Sequence, residues 1–378
     1  MPVKRFLVRN SGRTDFVECR WRYRQAYVER LRPNEGGMNA LVFGDIVHRS
    51  LADWYIPEKS RKKVKRGRHP RETLERIFDE LDVRQRRSKM RLLDPDDEKF
   101  IEARELGVAM MDNYVNAYGQ DEEIMVIYPE MPFQLDVYNE QGQYVFTQTG
   151  TTDCLCRDRR TGAWFLLEHK TAASITTGHL VLDEQANTYS TLLPAWLWEN
   201  EILPPDVDVE YMMYNFLKKT TLDFDGPQNA AGLYLKDPTI QQMKDALAES
   251  GVVYSTTNMK KEDYKELCTA EGIDWEQLGD PKSDQPSDLF HRERVTRAPI
   301  QREKALERIM QQVREMKALH AGTLPVYKAP GKMKCNFCQY RDMCEMDEYG
   351  EDITRFVETQ YHHWNPFKDH IWSLNLTD

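Results

Sequence analysis

No apolar run in the 378 residues approaches the ~18 needed to cross a membrane. The opening, MPVKRFLVRN, is basic but no apolar stretch follows it, so no secretory leader is expected. Cysteine is scarce. Seven residues, an odd number, are too few to staple a chain this long, which points to a reducing compartment and a cytoplasmic protein. Positive charge is in deficit as well: 52 Lys+Arg against 62 Asp+Glu leave a net charge of −10. That excludes a protein that coats nucleic acid through overall charge, but not an enzyme with a local basic track. The phosphate loop G-x-x-x-x-G-K-[ST] is missing, and with it an ATP motor. No internal repeat or low-complexity tract appears. What is present is an ordinary core inventory, 40% hydrophobic and 11% aromatic, which excludes wholesale disorder.

Residues 14–31 read as a helix capped by Thr14 and stopped before Pro33. A second helix runs from Asn39 to Tyr55, with Leu41, Val47, Leu51 and Trp54 at helical spacing and Pro57 beyond its end. RKKVKRGR (61–68) reads as an exposed loop, and 71–119 as charged helix interrupted near Pro95. β-Branched and aromatic residues then dominate 123–137, 143–149, 151–157 and 163–171, punctuated by NEQG and RRTG turns. A helix over 183–199 and a strand over 207–218 follow. After a polar, turn-rich stretch at 220–290 comes a long helix, 301–320, with Leu306, Ile309, Val313, Met316 and Leu319 on one face. This order predicts an α/β sandwich in four parts. They are a helical region 1–122, a sheet-and-helix core 123–219, an insertion 220–290 and a C-terminal helix with a cysteine-rich segment, 291–378.

The informative stretch is GTTDCLCRDRRTGAWFLLEHKT (150–171). If RRTG closes a hairpin, residues whose numbers sum to 321 face each other, so Asp153 opposes Glu168 with Cβ atoms ~5 Å apart. Two carboxylates that close repel unless a cation separates them. Period 2 puts Lys170 on the face of Glu168 and sends Cys154 and Cys156 to the other. Two acids and an amine at one sheet end suit Mg²⁺ beside a phosphate, with the lysine adding charge at the reacting phosphorus. A surface salt bridge would produce the same spacing, so the hairpin alone does not decide.

Three further features carry a resemblance. Gly44-Asp45-Ile46-Val47-His48 gives G-x-x-x-H before the sheet, and Gln185-Ala186-Asn187-Thr188-Tyr189 gives Q-x-x-x-Y on the helix after the acid–lysine strand. One early cysteine, Cys19, is followed far downstream by Cys335, Cys338 and Cys344 as C-x2-C-x5-C. In this order the set resembles the RecB-type branch of the PD-(D/E)XK nuclease superfamily, which includes the CRISPR-associated exonuclease family and phage recombination exonucleases. The resemblance implies a nuclease core, a central mixed sheet flanked by helices, with helical elaborations and a four-cysteine clasp. It also implies that His48, Asp153, Glu168 and the carbonyl of His169 hold Mg²⁺ or Mn²⁺ and that Lys170 is catalytic. Imidazole favours Mn²⁺ over Mg²⁺. Gln185 and Tyr189 share a helix face and are expected to orient Lys170 or touch the DNA backbone. Glu130, in YPEMPF, is a weaker addition to the site.

The spacing of Cys335 and Cys338 makes a metal hook, with Cys344 a third ligand and Cys19 the fourth; a tetrathiolate suits structural Zn²⁺ or an iron–sulfur cluster. The resemblance tips the choice to [4Fe–4S], serving as a clasp. Cys154, Cys156 and Cys268 are expected to be ordinary thiols. Arg61, Lys62, Lys63 and Lys65 follow the His48 helix and are expected to hold DNA phosphates near the scissile bond. The function expected is a metal-dependent DNA exonuclease without sequence specificity, in phage recombination or replication or in CRISPR-type processing. Helicase, recombinase or CRISPR integrase are its possible partners, and no membrane is involved. The competing reading is a DNA-binding or adaptor subunit of such an assembly. Loss of Asp153, Glu168 or Lys170 would have favoured it.

Overall fold

The computed structural model describes residues 5–34, 38–87, 97–221, 226–254 and 259–368; the expected break near Pro95 lies outside them. Its strands are β1 (Leu7–Arg9), β2 (Leu31–Pro33), β3 (Ile124–Tyr138), β4 (Tyr144–Asp158), β5 (Trp164–Ala172), β6 (Tyr211–Lys218), β7 (Phe290–Val295) and β8 (Tyr361–His363). All but β2 and β8 form one mixed sheet; those two pair antiparallel with each other. One edge of β4 is covered by β3 from Ile124↔Asp158 to Tyr138↔Tyr144. Its other edge changes partner: β1 runs parallel to residues 147–149, and β5 runs antiparallel to 154–157. Beyond β5 come β6, parallel, and β7, antiparallel. The two strands expected at 143–149 and 151–157 are therefore a single one. With β3 pairing on both sides of it, at Pro132↔Thr151 and Gln134↔Thr149, Gly150 does not interrupt it.

Side chains alternate across this sheet with period 2. Cys154, Cys156, Phe165, Leu167 and Met213 enter one core, with α3 (Ala40–Trp54), α4 (Pro70–Arg87) and α5 (Glu98–Tyr118). Leu155, Leu166, Met212 and Tyr214 enter the other, with α1 (Asn10–Glu18), α6 (Glu184–Glu199) and α10 (Pro299–His320). The helix expected over 14–31 is corrected in two ways. It starts at Asn10 because β1 ends on Arg9, and the Thr14 hydroxyl donates to the Asn10 carbonyl instead of capping. It then breaks at Cys19, which is extended (φ −161°, ψ 106°), before α2 (Arg20–Tyr23) and a π turn, Arg24–Val28.

Within 226–289, α7 (Ile240–Glu249) and α8 (Lys261–Ala270) pack around a small core of their own, Met243, Leu247, Tyr264 and Cys268. A short α9 (Pro286–Leu289) leads into β7. After α10 come α11 (Lys332–Asn336), α12 (Arg341–Glu348) and α13 (Thr354–Gln360). Among the described residues no helix is long and apolar enough to cross a membrane.

Candidate active site

The hairpin arithmetic holds in the structure: Cys154↔Leu167, Leu155↔Leu166, Cys156↔Phe165 and Arg157↔Trp164 all sum to 321. The ladder stops one pair short of Asp153 and Glu168. The backbone N–H of His169, released there, donates to Asp153 Oδ2 at 2.6 Å. On its other edge Asp153 meets Glu130. Pro129↔Cys154 and Met131↔Thr152 flank a residue that the register skips, and Glu130 takes φ +42°. Positive φ is costly for a residue with a Cβ and concentrates at functional sites.

His48 approaches from α3, whose first turn is capped by Asn39 accepting from the N–H groups of Leu41 and Val42. Its Nδ1 lies 3.1 Å from Asp153 Oδ1. Gly44, one turn earlier, leaves the space beside Thr171 open. Ligand atoms of His48, Glu130 and Asp153 all lie within 4.8 Å of one another, the one such group of three His, Cys, Asp or Glu among the described residues. Glu168 is engaged differently. Its Oε1 accepts from Lys170 Nζ at 2.8 Å and from Gln185 Nε2 at 2.6 Å, while Lys170 also donates to Gln185 Oε1 at 2.8 Å. Asp183 caps α6 and so sets where Gln185 points. Tyr189 is buried and donates to the carbonyl of Thr151, two residues before Asp153.

The charges respond to this crowding. Burial works against the His48 imidazolium, but the Asp153 carboxylate outweighs it and lifts His48 to about 9. Burial, then the charge of Asp153, pushes Glu130 up to about 7. Glu168 is raised for the same two reasons. Asp153, although buried, is held below the usual carboxylate range by His48 and the cations behind it. Burial opposes the Lys170 ammonium, yet Glu168 keeps it charged and raises it. Three acids converge and only some of their charge is balanced by protein cations. That is the electrostatic signature of a cation site.

A family model for the PD-(D/E)XK nuclease superfamily matches residues 11–345. The chain belongs to that superfamily. No curated protein matches the sequence. Members of that superfamily are nucleases that work on DNA with divalent metals such as Mg²⁺ or Mn²⁺. The donors present fit such an ion: carboxylate oxygens are hard ligands, and one imidazole is acceptable to Mn²⁺. Sequence reasoning underrated Glu130. Turn arithmetic could not have found it: a hairpin closed by NEQG would pair residues summing to 281 and set Tyr128 against Asp153, whereas a register shift between Val137 and Tyr138 makes the facing positions from Tyr128 to Val137 sum to 283 and brings Glu130 there.

Other sequence-derived residues lie elsewhere. Cys19, Cys335, Cys338 and Cys344 line one cavity of about 550 Å³, together with Arg22 and Lys328, and all four thiols are free. Burial raises Cys338 and Cys344. Arg61, Lys62, Lys63 and Lys65 are exposed, but the expectation that they flank the scissile bond is corrected. The Arg61 guanidinium bonds the carbonyl of Arg159, and Arg159 bonds the carbonyls of Ser60 and Arg61. The run is therefore fastened to the RRTG turn, about 17 Å along β4 from Asp153 at ~3.3 Å per residue. Arg66 within it is structural, buried against Glu58.

Proposed function

We propose that this nuclease is a deoxyribonuclease that degrades DNA from ends without base preference, with His48, Glu130, Asp153, Glu168 and the His169 carbonyl holding Mg²⁺ or Mn²⁺. The observation that carries this is the meeting of Asp153, Glu130 and His48 at the point where β4 changes partner, beside an intact Glu168–Lys170 pair. The ion, when bound, supplies Lewis-acid polarisation of a phosphoryl oxygen and a more acidic water. Lys170 holds a fixed positive charge, and the one N–H not given to Glu168 and Gln185, where charge grows on the phosphorane. Gln185 keeps that amine aimed by bonding both it and Glu168. Asp153 and Glu130 set the local negative potential that a water-derived proton would enter.

The exposed lysines at the RRTG turn would hold the strand backbone away from the cut, a sequence-independent and salt-sensitive contact. For the four cysteines the reading is a [4Fe–4S] clasp. What the four share is one cavity, and a tetrathiolate there suits a tetrahedral zinc or a cluster alike. The motif resemblance is what favours the cluster, which takes one thiolate per iron. The reading of a role in phage recombination or CRISPR-type processing, with a helicase, recombinase or integrase alongside, rests on the motif resemblance alone.

The deciding experiment uses end-labelled single- and double-stranded DNA with Mg²⁺ or Mn²⁺, resolved by fragment size. Mononucleotides or short oligomers appearing first from the labelled end support the reading. Scattered internal fragments would replace exonuclease by endonuclease. Binding without cutting, under both metals, would favour the adaptor alternative.

A further inference from the structure

Behind the site the His169 side chain joins a buried polar ladder whose side chains the chemistry above does not use. His169, Asn215 and Arg292 face one another directly on three neighbouring strands, β5, β6 and β7. His169 and Asn215 are essentially without solvent contact. Asn215 Nδ2 lies 2.8 Å from His169 Nδ1 and 3.0 Å from the Tyr114 hydroxyl; its Oδ1 accepts from Arg292 Nε at 3.2 Å. Arg292 grips Asp121 with both terminal nitrogens, at 2.9 and 2.6 Å. Asp121 also accepts from the Tyr55 hydroxyl at 2.6 Å, and the Tyr55 ring stacks on His169 with centroids 5.6 Å apart.

Donor and acceptor rules fix the direction of this chain. A guanidinium can only donate, so the oxygen of the Asn215 amide must face Arg292. The NH₂ end then faces His169, and since it can only donate, His169 Nδ1 must be an acceptor. The ring proton is left on Nε2. That nitrogen finds no acceptor among the described residues, so hydrogen bonding at Nδ1 alone sets the tautomer, at the cost of a buried N–H left unpaired.

A ring held on one face by Tyr55 and at Nδ1 by Asn215 also restrains the peptide that bears it. The amide of that residue is the donor to Asp153 Oδ2, and its chain neighbours are Glu168 and Lys170. We propose that Asn215 and Arg292, anchored by Asp121, are positioning residues: they impose the Nε2–H tautomer and the orientation of His169, and through its backbone hold Asp153 in place for the metal. Only the last step rests on the nuclease reading. The tautomer does not.

The test uses the full chain labelled with ¹⁵N-histidine, with His169 assigned by its loss in His169→Gln, alongside calorimetric titration with Mn²⁺ and thermal melting. Wild type should show His169 as the Nε2–H tautomer throughout neutral pH. Asn215→Asp offers an acceptor to Nδ1. It should move the proton to Nδ1 and weaken Mn²⁺ binding tenfold or more while melting remains cooperative. If that variant does not fold, Asn215→Ser removes the donor and serves for the affinity arm. A wild-type proton on Nδ1 would overturn the proposal without any variant. So would a folded Asn215 variant that binds Mn²⁺ as tightly as the parent, the outcome expected if the ladder only adds stability. Wild-type protein that binds no Mn²⁺ would instead overturn the metal reading, and with it the link to Asp153.

Discussion

At the level of single residues, Asp153, Glu168 and Lys170 were readable because a two-residue alternation and one tight turn fix their positions. Removing either end of that set should abolish cutting in a folded protein. Lys170→Ala is expected to lower kcat by ~10²–10³, the usual loss when one charge-stabilising group is deleted; near-parental turnover by mutant free of contaminating nuclease would remove Lys170 from the mechanism. A second expectation concerns protons. With no metal bound, His48 carries a proton up to about pH 9 and Glu130 up to about pH 7, and an entering cation must displace both. Mn²⁺ affinity should therefore climb by roughly tenfold or somewhat more per pH unit between 6.5 and 8.5 and level off above 9. The sign for stability is opposite. His48 is raised above its unfolded value, so its pairing with Asp153 stabilises the metal-free fold fully below about pH 6.5 and is lost as pH rises through about 9. Calorimetry in buffers of different ionisation enthalpy would count the protons released. A pH-independent affinity would show that His48 is not a ligand. Less legible were Asn215 and Arg292, because a buried polar pair on adjacent strands has no local pattern in the chain.

Among the elements, helix periodicity succeeded where a whole face is buried and failed at its margins. The long C-terminal helix buries Ala305, Ile309, Val313, Met316 and Leu319, while Leu306, expected on that face, is partly exposed. Leu41, read as part of the inner stripe of α3, is 83% exposed, in a first turn whose residues 39–41 are all exposed. The break at Cys19 could not be read at all: nothing in ECRWRY punctuates a helix, and the extended residue's thiol lines a cavity shared with residues more than three hundred positions away. Two elements give measurable expectations. Gly150 permits β4 to pass as one strand, since a Cβ there would lie 2.7 Å from the Phe133 ring and 3.2 Å from the Tyr189 hydroxyl. Gly150→Ala should cost ~1–3 kcal/mol in urea unfolding through overpacking, and an unchanged midpoint would show that the ring gives way freely. Asn39→Ala removes a helix cap and should cost about 1 kcal/mol, with weaker Mn²⁺ binding because the loosened helix carries His48.

For the molecule as a whole, the basic run and the cysteine cavity test separable claims. Neutralising Arg61, Lys62, Lys63 and Lys65 together should flatten the salt dependence of DNA affinity, by roughly one unit of slope for each phosphate no longer neutralised, while kcat on saturating DNA is spared. An unaltered slope would reduce the run to a fastening for the hairpin turn. If the four cysteines hold a cluster, anaerobically purified protein should be brown, and Cys19→Ser should bleach it as fully as Cys338→Ser. Closing so long a loop is worth on the order of 5 kcal/mol if the cross-link model for disulfides is borrowed. Colourless protein with one zinc would keep the clasp and reject the cluster. The pairing of β2 with β8 has a further consequence, in the timing of synthesis. Leu31–Pro33 meets its partner only at Tyr361–His363, some 330 residues later. At ~5–20 residues per second the first strand waits on the order of 15–65 s for its mate. Arg13 on α1 likewise waits for Gln312. Nascent chains arrested before α10 should therefore be cut readily by protease within their first thirty residues. Completed chains should resist. A growing chain would carry its acids and lysine for many seconds before the scaffold that makes them a nuclease is finished.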